Sequence, residues 1–303
     1  MGMLADKVVV VTGAGRGVGR ALAMGCAAEG AKVIVNDYGV LLDGSGTDAG
    51  PANEVVGEIR AAGGVAEASI ASITDPQGAT SIIDDAIRHF GRIDAVVNNA
   101  GFLRDGMFFK MSQKDWDDII DVHLSGYFYV SRAAAPYFKE QGSGSYVHFT
   151  STTGLLANIG QANYAAAKAG VVGLSTSIAL DMQRYNVRSN CIAPTAWSRL
   201  IGTIPTETDE QKARIEKIKQ MTPEKIAPLV AYLCSDDAAD VSGQVFGVRK
   251  NEVFLYSRPT ILRTMQMSDG WTPETCRDIL MPALRPSFHP LRKSSEILPW
   301  DPQ

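Results

Sequence analysis

A chain of 303 residues can bury a sizeable core and fits one large α/β domain with an extension better than two full domains. With 45% hydrophobic and 20% charged residues it lies outside the compositions of disordered, collagen-like and coiled-coil chains, so a soluble globular protein is expected. A net charge of −4 gives no broad positive field, and neither nucleic acid nor an anionic membrane is an expected partner.

The N-terminus shows no secretion leader, and no apolar run of about 18 residues follows anywhere, so a cytoplasmic protein without a membrane span is expected. Lys7–Val11 reads as the first strand; its valines lack polar alternation, the pattern of a strand covered on both faces. Thr12 to Gly19 (T-G-A-G-R-G-V-G) follows at once and opens an amphipathic helix running to Glu29. Between a strand and a helix, Gly13, Gly17 and Gly19 let backbone amides approach a pyrophosphate at the helix N-terminus; glycines that merely turn the chain are the weaker reading.

Lys32–Asn36 reads as the second strand and ends at Asp37, 18 residues past Gly19. A carboxylate there accepts hydrogen bonds from the adenosine ribose and repels a 2′-phosphate, which favours NAD over NADP. Arg16 pulls the other way, and Asp37 as a turn cap stays open. Gly39–Pro51 reads as a long loop, and Val65–Ile70, Ala95–Asn98, Tyr146–Thr150 and Val187–Ile192 as further strands, with Gln244–Val248 as a seventh. Helices fill the intervals, with starts marked by Ser112 and Asp115, by Thr222-Pro223-Glu224 and by Thr272-Pro273-Glu274. The βαβ rhythm predicts a Rossmann-like, doubly wound parallel sheet in three layers, over residues 1–250. Residues 251–303 form a C-terminal extension, whose prolines from Pro282 onward predict an extended tail on the domain or on a neighbouring subunit. Cys26, Cys191, Cys234 and Cys276 lie far apart without ligand spacing, so free thiols are expected and no metal site.

Tyr164 and Lys168 share a helix face at i, i+4. An ammonium there, with a positive nicotinamide ring, would draw the phenol down from its usual value of about 10 towards a general base. Ser151, at the end of the fifth strand and 13 residues before Tyr164, reaches the same crevice. Ser151 would hold the substrate oxygen, Tyr164 exchange its proton, and Lys168 anchor the nicotinamide ribose. A Y-x-x-x-K pair alone is more often a surface pair.

With Asn98-Asn99-Ala100-Gly101, these motifs resemble the short-chain dehydrogenase/reductase family over roughly Leu4 to Val248. The resemblance implies cofactor contacts at Val18, Ser72, Ile73, Asn99, Ala100, Gly101, Pro194, Ala196, Ser198 and Arg199, beside Gly13, Arg16, Gly17, Gly19, Asp37, Tyr164 and Lys168. Two positions depart from the family pattern. His123 stands where an asparagine often relays protons, which leaves a relay role and a structural one equally open. Ala71 replaces the usual adenine-contacting aspartate.

Val35 to Gly39, Phe90 to Asp94, Val122-His123-Leu124, Gly160 to Tyr164, Ile192-Ala193-Pro194 and Gly270 to Glu274 are similar to the dehydrogenase domain of the peroxisomal multifunctional type 2 enzymes and their bacterial relatives. That resemblance implies an NAD-dependent (3R)-3-hydroxyacyl-CoA dehydrogenase acting on a fatty acyl or sterol side chain, forming a homodimer or homotetramer. A hydroxysteroid dehydrogenase, a 3-oxoacyl thioester reductase and, outside enzymes, a dinucleotide sensor or scaffold remain alternatives. Trp197–Lys219 is expected to form a lid over the substrate.

Overall fold

The computed structural model describes residues 2–39, 46–196, 208, 216, 218–293, 296–298 and 300–303. Eight strands form one sheet in the order β3-β2-β1-β4-β5-β6-β7-β8. They are β1 Val8–Thr12, β2 Lys32–Asn36, β3 Val65–Ser69, β4 Ala95–Asn98, β5 Gly144–Phe149, β6 Val187–Thr195, β7 Val245–Arg249 and β8 Glu252–Leu255. The first seven are parallel, and β8 runs antiparallel to β7.

Why helices cover both faces is written in β1, where all five residues are buried. Val9 and Val11 join a core with Leu22 and Cys26 of α1 (Gly17–Ala28), Val55 and Ile59 of α2 (Gly50–Ala61) and Val230 of α8 (Ala227–Cys234). Val8 and Val10 point the other way, towards Ile82 of α3 (Pro76–Phe90), Phe138 of α5 (Gly126–Gln141) and Val171 of α7 (Ala162–Met182). The three-layer doubly wound expectation therefore holds, and alternation along one strand feeds two separate cores. Cys26, Cys191 and Cys234 are buried free thiols and Cys276 a half-buried one.

The strand order reverses between β1, which neighbours β2, and β4 on its other side. At such a switch point the loops leaving the carboxyl ends of β1 and β4 diverge and open a crevice. Two more elements frame it. A helix, α4 (Gln113–Ile120), begins with Ser112 and Asp115 as a reciprocal capping box, and passes through a π-helical turn at Asp121–Ser125 into α5. A short α6 (Thr152–Leu156) is capped by Ser151, which accepts from the Thr153 amide.

The C-terminal region differs from expectation in two ways. Residues after 250 open with β8, a strand of the main sheet reached through a tight turn with Lys250 in the left-handed region. Pro282 does not end helical structure: Pro273–Thr275 (α9), a π turn and Met281–Leu284 (α10) run through it, because proline is tolerated in a helix's first turn. The chain's end then returns to its own domain. Arg249 donates to the Leu298 and Trp300 carbonyls, and the Trp300 indole donates to Glu252. No described helix is long and apolar enough to cross a membrane.

Candidate active site

The glycine loop between β1 and α1 is built by close approach. A Cβ on Gly19 would sit 2.0 Å from the Gly13 carbonyl oxygen, and one on Gly13, at φ +63°, would sit 2.6 Å from the Ala100 Cα. Gly17 differs: its φ is +52°, yet its open face meets nothing within 4 Å. The first two glycines are thus consumed by the fold, while Gly17 presents backbone at the N-terminus of α1, where Arg16 provides no side-chain cap. Such an opening could hold a pyrophosphate.

Asn99 fastens the β4 end to this loop. Its amide donates to the Thr12 hydroxyl at 3.0 Å, and its side chain donates to the Thr12 and Gly13 carbonyls at 3.0 and 3.2 Å. Asp37, just past β2, accepts from Gly15 N–H at 2.7 Å and Gly39 N–H at 2.8 Å, so the turn-cap reading and the ribose reading share one carboxylate. Val18 is half-buried on α1, and Pro194 and Ala196 are half-buried at the carboxyl end of β6. Ser72 closes the turn after β3 by accepting from Thr74 N–H, whereas the Ile73 side chain is buried against Gly126. Ser198, Arg199 and nearly all of the expected lid lie outside the described residues.

Across the crevice, Ser151, Tyr164 and Lys168 converge. The Ser151 hydroxyl lies beside the Tyr164 phenol and favours its ionised form, and the Lys168 Nζ lies 5.8 Å from the Tyr164 ring centre. Lys168 is 2% exposed, and its ammonium donates to the Tyr127 hydroxyl at 3.1 Å and the Phe149 carbonyl at 2.5 Å. Burial brings the lysine down to about 7. Burial also pushes Tyr164 up to about 12, partly offset by the neighbouring Ser151 hydroxyl and reinforced by the charge of Asp105. The expected acidification of the phenol called on a positive nicotinamide ring together with Lys168; within the chain, desolvation is the largest influence on both groups.

His123 sits in the π turn with its ring edge-on to Tyr164, 5.1 Å between centres. Its Nε2 is 2.7 Å from the Phe102 carbonyl, which can only accept, so Nε2 carries the proton and Nδ1 bears a lone pair. That Nδ1 is buried and unpartnered. Burial and the nearby Lys168 charge hold His123 well below the usual imidazole range, which keeps it neutral. Gly101 makes room for the ring, since a Cβ there would fall 2.1 Å from the His123 Cε1.

Sequence reasoning missed Asn163 and Tyr127. Buried Asn163 donates to the Arg104 and Asp115 carbonyls while accepting from Tyr164 N–H, which fixes the start of α7. Tyr127 reads as one more core aromatic in an apolar helix, and no spacing marks it as the lysine's partner. A cavity of about 580 Å³ opens at the amino ends of β1, β4, β5 and β6, where Lys7 pairs with Asp94 and Asp236. It contains none of the groups that converge on Tyr164.

The short chain dehydrogenase family profile matches residues 7–203. A short-chain type dehydrogenase/reductase of Mycobacterium tuberculosis is 48% identical over 78% of this chain and 79% of its own length. The peroxisomal multifunctional enzyme type 2 of Mus musculus is 40% identical over 90% of this chain, which spans only 36% of that protein. The hydroxyacyl-CoA dehydrogenase ChsB1 of Mycobacterium tuberculosis is 38% identical over 89% of this chain and 86% of its own length. Among solved structures, a short chain dehydrogenase from Mycobacterium avium superposes with a TM-score of 0.83 at 37% identity, covering 96% of this chain and 99% of that one.

Proposed function

This chain belongs to the short-chain dehydrogenase family and is an oxidoreductase, and we propose that it interconverts a 3-hydroxyacyl-CoA and its 3-ketone with NAD. The carrying observation is that Ser151, Tyr164 and Lys168 meet at the carboxyl ends of the strands, across the crevice from the glycine loop. Bound NAD would supply the hydride acceptor. Gly17 and the α1 N-terminus would hold its pyrophosphate, Asp37 its adenosine ribose, and Asn99 to Gly101 the wall beside its nicotinamide.

Within that frame Ser151 steadies the substrate oxygen and Tyr164 takes the hydroxyl proton. A positive charge arriving beside Tyr164 stabilises its phenolate and opposes the burial that holds the phenol up. Lys168 adds to that charge while protonated and directs its remaining N–H towards the ribose. Neutral His123, with a free lone pair at Nδ1, is a hydrogen-bond acceptor at the edge of Tyr164 and fits a proton relay. Asp37 supports NAD over NADP because a 2′-phosphate would lie against its carboxylate. The acyl-CoA assignment draws on the name of the ChsB1 relative.

The discriminating experiment compares NADH formation with a straight-chain 3-hydroxyacyl-CoA, a sterol-side-chain CoA thioester and a free hydroxysteroid. One of the two thioesters should turn over at least tenfold faster than the steroid. A preference for the free steroid would overturn the acyl-CoA assignment, and NADP outpacing NAD would overturn the cofactor assignment.

A further inference from the structure

We propose that Tyr127 is a positioning residue for Lys168: its hydroxyl, anchored on the Ala100 carbonyl, is the acceptor that aims the ammonium and keeps it charged beneath Tyr164. The inference rests on the roles given above to Tyr164 and Lys168.

Tyr127 is wholly buried at the start of α5, directly after the π turn. Its hydroxyl donates to the Ala100 carbonyl at 3.1 Å, so its own proton is committed and its lone pairs face Lys168. Burial pushes this phenol well above its usual range, which keeps it a neutral acceptor. The groups facing Lys168 are Tyr164 on its own helix, Tyr127 on α5, His123 in the π turn, His148 on β5 and Cys191 on β6. None is a carboxylate. Among the described residues the buried charge is therefore held by two oxygens, the Tyr127 hydroxyl and the Phe149 carbonyl. An ammonium has three N–H donors, so fixing two of them aims the third. Ala100 follows Asn99, which is bonded to Thr12 and Gly13, so the hydrogen-bonded line runs from the glycine loop to the lysine.

Tyr127→Phe keeps the ring, whose centre lies 4.6 Å from Nζ, and removes only the acceptor. Losing a hydrogen bond to a charged group disfavours the charged form, so Lys168 should release its proton about one pH unit lower. A less charged neighbour stabilises the Tyr164 phenolate less. The acid limb of kcat/KM for alcohol oxidation should then move about one unit to higher pH, with about tenfold less activity at pH 7. Tyr127→Met, which fills the space without an oxygen, carries the same expectation. Tyr146→Phe is the comparator: it also deletes a buried hydroxyl, one bonded to the Ser131 carbonyl at 2.8 Å, and should lower Tm without moving the limb.

The lysine is read directly from the pH titration of ε-¹³C-labelled protein by NMR, with the Lys168 signal assigned by its loss in Lys168→Met. A Lys168 titration within about 0.3 unit of wild type in Tyr127→Phe overturns the proposal. Should the wild-type protein oxidise none of the alcohols, the dehydrogenase reading fails separately, and the lysine titration alone decides for or against Tyr127.

Discussion

Among the described residues no carboxylate pairs with the buried Lys168, and a folded chain carries its charge at a cost. The unfolded chain holds the lysine proton up to about 10.5, whereas the folded chain releases it near 7. Between those values the unfolded form binds more protons, so stability rises with pH across that window and is lowest below it. Lys168→Met should therefore raise Tm at pH 7 by several degrees while abolishing turnover, with the gain shrinking as pH approaches 10.5. Thermal melts at pH 7 and pH 10 check this; equal Tm changes at both would contradict it. Asp37 carries a similar double duty. Asp37→Asn keeps an oxygen for one of the two amides but removes the charge, so the ratio of kcat/KM for NAD over NADP should fall about tenfold, with a small loss of stability.

At the scale of elements, the β1-to-α1 loop separates glycines that the fold itself requires, Gly13 and Gly19, from Gly17, which is proposed to bind phosphate. Gly19→Ala drives a Cβ into the Gly13 carbonyl and should destabilise the protein by about 2–3 kcal/mol. Gly17→Ala meets no atoms but strains a positive φ, at about 1 kcal/mol, and places a methyl where phosphate would approach. Its Tm should stay within a few degrees of wild type while NADH affinity, read by fluorescence, falls at least tenfold. The π turn between α4 and α5 works differently, by inserting one residue into the helix so that His123 and Tyr127 both face the crevice. No sequence signal distinguishes that bulge from ordinary helix, since no glycine or proline interrupts Asp121 to Ser125.

Over the whole molecule, seven strands and the switch point were legible because both-face burial forces β-branched runs, as in Val8 to Val11, and because the glycines sit between a strand and a helix. Ser151, Tyr164 and Lys168 were legible because their chemistry depends on short spacings. What the sequence withheld depends on distant partners. β8 alternates exposed and partly buried residues and follows a Lys250-Asn251 turn without the usual glycine, so it resembles loop. Arg249 is buried among Glu252, Phe254 and Trp300, and the Trp300 contact joins segments some fifty residues apart. Removing residues 297–303 should expose that arginine, lowering stability by about 1–3 kcal/mol in urea melts while NADH still binds.

The proposed chemistry centres on the Tyr164 phenol as the group that exchanges the substrate proton. The most direct measurement is NADH formation by Tyr164→Phe with the best hydroxyacyl-CoA, alongside NADH binding to the same protein. The account predicts a loss in kcat of about a thousandfold or more with NADH affinity within threefold of wild type. Turnover within tenfold of wild type would contradict it.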